Sequence, residues 1–184
     1  MNALTRALVV TGIVVLNAVV QALTVLGDPV PVASLAFAGS VALSVGAIAV
    51  SACAVVTVVH GARWRWVGLA WMLGTVILAA ALSILSPFLA PIAIVLGLIV
   101  VPGVVAGDGP LGGFRAFRTH PVRHSFGVVG VLALTVVGWA AALVLGLFVT
   151  GFAGALATWL LFGALGALVV AGWRERPRHS LTSR

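Results

Sequence analysis

Ten arginines supply every strong side-chain cation of this chain, and they fall only in alternate gaps between its apolar runs. Arg6 stands at the start of the first run, Arg63 and Arg65 follow the second, Arg115, Arg118 and Arg123 follow the fourth, and Arg174, Arg176, Arg178 and Arg184 follow the sixth. The other gaps, Leu26 to Val30, Leu85 to Pro91 and Val149 to Ala153, hold no Lys or Arg. Short cytoplasmic loops retain basic residues and translocated loops lack them. The pattern therefore predicts an all-α polytopic membrane protein of six transmembrane helices with both termini in the cytoplasm.

Composition agrees with that class. With 62% apolar residues, 7% charged residues and a mean hydropathy of +1.29, the chain lies far from soluble domains, where roughly a quarter of residues are charged. Six spans of about 20 residues use about 120 positions, so residues 1–173 are expected to form one membrane domain and 174–184 a basic cytoplasmic tail. The spans are expected at about 4–26, 30–59, 66–85, 91–105, 126–148 and 152–173. The start resembles a signal peptide, but its apolar run continues to Leu26 and is read as a retained first span. Continuous apolar runs exclude a barrel of alternating ten-residue strands. Pro102-Gly103 is expected to kink or end the fourth helix. Absence of Lys and Tyr with heavy use of Ala, Gly, Val and Arg suits a GC-rich bacterial genome, so the expected location is a bacterial plasma (inner) membrane.

A net charge of +7 can indicate nucleic-acid binding, but no soluble basic module carries it. Anionic headgroups of the cytoplasmic leaflet are the better partner, and no nucleic acid is expected. Cys53 is the single cysteine and lies within an apolar run, which excludes an intramolecular disulfide.

Two constellations are candidates for function. On the first span, Asn17, Gln21 and Thr24 share one helix face with Asp28 beyond them. They form either one wall of a polar cavity or interhelical hydrogen bonds. The second reading is preferred, because no other span offers an ionisable group at matching depth. In the loop from Leu111 to Phe126, Leu111, Phe114 and Phe117 repeat every three residues, as in a short amphipathic segment lying among headgroups. Arg115, Arg118 and Arg123, with His120 and His124, are the candidate lipid-binding or partner-binding residues, since guanidinium forms bidentate contacts with phosphate. The competing reading of this loop is a topology signal with aromatic anchors. No carboxylate or cysteine accompanies the two histidines, so no metal is expected.

Stripes of small residues, Ser40, Ser44, Ala47 and Ser51, then Gly138, Ala142 and Gly146, then Gly163, Ala167 and Ala171, suit close helix packing within the chain. His60, Arg63, Trp64, Arg65 and Trp66 form an interfacial belt, with Trp173 and Arg174 as another. Enzyme chemistry lacks its groups: Asp28, Asp108 and Glu175 are the only carboxylates, and all four histidines sit at or beyond the cytoplasmic boundary. No catalytic residue, cofactor or metal is expected.

The stretch Gly113-Phe-Arg-Ala-Phe-Arg-Thr-His-Pro-Val-Arg-His-Ser-Phe126 resembles the basic aromatic loop of the YesL-like family of small bacterial membrane proteins. The resemblance implies an accessory membrane protein associated with carbohydrate transport and assigns no catalytic residue. The expected function is thus a non-enzymatic, accessory or transport-associated subunit whose basic loop contacts anionic lipid, with membrane or cytoplasmic transporter subunits as further partners. Two alternatives stay open. One is the substrate-binding membrane subunit of a vitamin-type transporter, for which Ala18 and Ala22 supply a small-residue pair. The other is a small channel or lipid-translocating protein, to which the polar face on the first span contributes.

Overall fold

A computed structural model describes residues 1–26, 34–86, 89–112, 114, 118 and 121–173, leaving out the side chain of Arg123. Among these residues the secondary structure is helical: α1 (Ala3–Leu26), α2 (Leu35–His60), α3 (Trp66–Leu85), α4 (Ala90–Ala106), α5 (Pro121–Phe148) and α6 (Gly151–Trp173). Five of the six are long and apolar enough to cross a membrane, while α4 is shorter at 17 residues. At 1.5 Å per residue α4 reaches about 25 Å, just under a hydrocarbon core of roughly 30 Å.

The helix ends follow local chemistry. The Asn2 side-chain oxygen accepts from the Thr5 amide at 2.7 Å, capping α1. Ser34 does the same for α2, accepting from Phe37 at 3.1 Å. Gly61 ends α2 in the left-handed region at φ 65°, and Gly107 ends α4 at φ 99°. At Gly107 the amides of Gly107 and Asp108 both turn back onto the Gly103 carbonyl, a closure that a residue with a Cβ adopts only with strain. Within the helices, Ser40, Thr57, Thr75, Ser83 and Thr135 each donate to the carbonyl four residues earlier. That satisfies hydroxyls where lipid offers no partner.

Two expectations about boundaries need correction. The described part of α2 begins at Leu35 because Ser34 is extended and acts as the cap. The earlier start placed at Val30 involves residues 30–33, which lie outside the described residues. Helix α5 begins at Pro121 rather than near Phe126. A proline at the first helical position loses no hydrogen bond, so the helix can start in polar sequence. Pro102 lies inside α4, which ends at Ala106, close to the expected end at about 105.

Helix α2 lies centrally, against α1, α3, α4 and α6, while α5 packs mainly on α6. Residues Ala49, Cys53 and Val56 of α2 form a core with Met72 of α3 and Val101 and Val105 of α4. Glycines bring the backbones together. A Cβ on Gly97 would stand 2.5 Å from Thr75 Cγ2, one on Gly68 would stand 2.8 Å from Val105 Cγ2, and one on Gly163 would stand 2.5 Å from Val14 Cγ1. Gly138 lies against Phe162 and Leu165. Gly138 and Gly163 thus serve packing within the chain, whereas a side chain at Gly146 would meet nothing within 4 Å.

These pairings make sequence neighbours antiparallel, so the start of α1, the α2–α3 turn, the end of α4, the start of α5 and the end of α6 share one end of the bundle. Two contacts tie that end together. A Cβ on Gly107 would lie 2.6 Å from Nη1 of Arg65, which places the guanidinium against the α4 cap. The rings of His124 and Trp173 stand 5.5 Å apart, and the Trp173 indole covers Gly127.

Candidate functional site

The polar face of α1 turns inward. Asn17, Ala18, Gln21 and Ala22 are its buried residues, which the alternation of four- and three-residue steps places on one side of the helix. Gln21 is 1% exposed and is held reciprocally by Ser44 of α2. Its Nε2 donates to the Ser44 carbonyl at 3.0 Å, and its Oε1 accepts from the Ser44 hydroxyl at 2.6 Å. Thr24 does not reach a neighbouring helix in this arrangement, since its hydroxyl donates to the Gln21 carbonyl at 2.6 Å. Asn17, 9% exposed, keeps a buried Oδ1 without a hydrogen-bond partner. Arg6 lies almost directly below Asn17 on the same face, eleven residues and about 16 Å away along the axis, and its Nε is likewise buried without a partner.

The three predicted polar residues therefore do different things. Gln21 joins two helices, Thr24 closes on its own helix, and Asn17 alone presents an open acceptor. Ser44, read from the sequence only as one member of a small-residue stripe, is the partner that the α1 amide needs. Its signal was present as a hydroxyl in an apolar span, but the α1–α2 register that selects Ser44 over Ser40 or Ser51 is a tertiary property.

The second candidate, the basic loop, is described in part. Leu111, Phe114 and Arg118 are exposed. Arg115, Phe117 and His120 lie outside the described residues, as does the side chain of Arg123. His124 is 6% exposed and tilted onto Trp173, so it belongs to the α5–α6 contact and not to an outward basic face. The outward cations of this end also include Arg63 and Arg65. Beside them Trp64 and Trp66 pack edge to face with centroids 6.1 Å apart, and both indoles are exposed. Amphipathic indoles next to arginine form the belt expected at the lipid–water boundary. Among the described residues, the opposite end of the bundle, around Leu85, Ser86, Val149 and Thr150, carries no basic residue.

Among the described residues no three His, Cys, Asp or Glu side chains come together in a way that would hold a metal ion. Comparison of the chain with family models, with curated proteins and with solved structures gives no match.

Proposed function

We propose that this chain is a non-enzymatic multi-pass protein of a bacterial plasma membrane, with six spans and both termini cytoplasmic. In this reading it acts as an accessory or transport-associated subunit whose arginine-bearing end holds anionic headgroups. The observation that carries the proposal is the segregation of charge. Exposed Arg63, Arg65 and Arg118 share one end with exposed Trp64, Trp66, Leu111 and Phe114, and among the described residues the other end has no cation. Placing an Arg at the bilayer centre costs roughly 2.5–3.5 kcal/mol on insertion scales, which favours keeping this end at the interface. The likeness of residues 113–126 to the YesL-like loop agrees with an accessory role.

Orientation is tested by single cysteines in a Cys53→Ala background. Those placed at Phe88 and Gly151 should react with an impermeant reagent outside intact cells, and those at Arg118 and Arg178 should not. The opposite labelling would overturn the proposal. The lipid role is tested in bilayers of mixed phosphatidylglycerol and phosphatidylcholine. Replacing Arg115, Arg118 and Arg123 by Gln should lower the enrichment of anionic lipid around the protein and shrink its salt sensitivity. The same enrichment in a variant of unchanged orientation would reduce the loop to a topology signal.

A second reading, a polar path for a translocated solute or lipid, is favoured by the open Asn17 Oδ1. It is weakened by Gln21, whose amide is already taken by Ser44.

A further inference from the structure

A groove runs between α3 and α4, walled by Ala70, Trp71, Gly74 and Leu78 on one side and Leu96 and Val100 on the other. Its volume of about 510 Å³ lies within the roughly 300–1,000 Å³ of small-molecule sites. The single hydroxyl of the lining, on Thr75, is already bonded to the Trp71 carbonyl at 2.9 Å. That leaves the Trp71 indole N–H as the one side-chain donor, so the groove suits an apolar chain and gives a hydrophilic solute little to hold.

A cation lies beyond the Val100 end of the groove. On α4, Val100 and Gly107 stand seven residues apart and so within about 20° of one face, which carries the line of the groove down onto the Gly107 cap. The Arg65 guanidinium sits against that cap, with Arg63, Trp64 and Trp66 exposed around it. From Arg65 to Leu78 the rise is about 20 Å, which matches one leaflet, about half of a 30 Å core, together with the depth of the headgroup layer.

We propose that this groove seats one anionic phospholipid, with an acyl chain lying along Gly74 and its phosphate on Arg65. The proposal rests on the reading that the arginine end faces anionic headgroups. A second copy of the chain is the less fitting occupant. Inserted in the same orientation, it would bring its own arginines to the same mouth, where like charges repel.

Native mass spectrometry of the full-length protein in detergent, delipidated and titrated with phosphatidylglycerol or phosphatidylcholine, tests this. The wild-type chain should retain one phosphatidylglycerol in preference to phosphatidylcholine. Gly74→Leu extends a side chain from a position where a Cβ meets nothing within 4 Å, so the helix is kept while the seat is filled and the retained lipid is lost. Arg65→Gln should weaken phosphatidylglycerol binding about fivefold, the weight of one basic residue at an anionic surface, and leave phosphatidylcholine unchanged. Ala70→Leu fills the groove from its other end and keeps the test decisive if Gly74→Leu misfolds. Undiminished retention in the folded filling variants overturns the proposal. So does a wild-type dimer that Gly74→Leu converts to a monomer, which would give the groove to a second copy. The Arg115, Arg118 and Arg123 to Gln variant should keep its single phosphatidylglycerol while losing broad enrichment, so failure here and failure of the loop reading are separable.

Discussion

The α1–α2 seam and the α3–α4 seam solve the same problem with different chemistry. Between α1 and α2, the Gln21 amide makes two hydrogen bonds with Ser44, donating to its backbone carbonyl and accepting from its hydroxyl. Between α3 and α4, Gly68 and Gly97 let Val105 and Thr75 settle against bare backbone. Lipid is as apolar as Leu, so burying hydrocarbon gives little drive for helices to associate in a membrane, and both dispersion and hydrogen bonds must contribute. The polar seam fixes which turn of α1 meets which turn of α2. The glycine seam fixes distance, because its closeness has no slack.

That contrast predicts unequal responses to substitution. The largest should come from Gly97→Leu, whose Cβ alone would stand 2.5 Å from Thr75 Cγ2. Overpacking of this kind costs on the order of 1–3 kcal/mol, and the upper part of that range is expected from detergent-titration unfolding. Gly97→Ala should cost less, since alanine regains about 1 kcal/mol of helix propensity. Pairing it with Thr75→Ala, which removes the two nearest atoms, should restore stability. Failure of that rescue would mean that Gly97 is not set by its contact with Thr75.

An intermediate effect is expected at the polar seam. Gln21→Leu should lower stability by about 1 kcal/mol, and a double-mutant cycle with Ser44→Ala should show a coupling between roughly 0.6 and 1.7 kcal/mol, the average and the maximum for interhelical hydrogen bonds in membranes. Additive single effects would show that the two side chains do not depend on each other.

Asn17→Leu should have the smallest effect, and its sign should be opposite. A buried carbonyl oxygen without a donor carries a desolvation penalty of about 1–3 kcal/mol, so the leucine variant should be as stable as the parent or slightly more so. A loss of stability or of a growth phenotype would reveal a donor that meets Asn17 in the membrane and would strengthen the translocation reading.

The sequence made the helices legible because each apolar run is bounded by residues with a definite local meaning. The third span, 66–85, agrees with α3 at both ends, and Gly61 and Gly107 mark ends by their left-handed backbone. The Ser34 cap of α2 was not read, because a single hydroxyl beside an apolar run leaves no mark in hydropathy. The beginning of α5 was hidden because hydropathy locates the apolar run, and a helix can extend into Val122 to Ser125 without an apolar signal. Which faces turn inward was less legible. In a chain where lipid-facing and core positions are equally apolar, Val136 at 62% exposed and Val101 at 0% give no contrast in hydropathy. Polar atoms break that symmetry, which is why the inward face of α1 could be anticipated and the Arg65–Gly107 contact, made between segments some forty residues apart, could not.

The shortness of α4 bears on the bilayer itself. Helix α5, at 28 residues, is about 42 Å long and meets a normal membrane by tilting or by standing proud of it, whereas α4 can only fall short. In the proposed six-span arrangement, lipid adjoining α4 where it shows Ile92, Ile94 and Leu96 to the outside compresses by several ångströms, at a fraction of a kcal/mol for each. The protein is therefore expected to dimple the membrane on one flank, and thicker membranes, with more to compress, should accommodate it less well than thin ones.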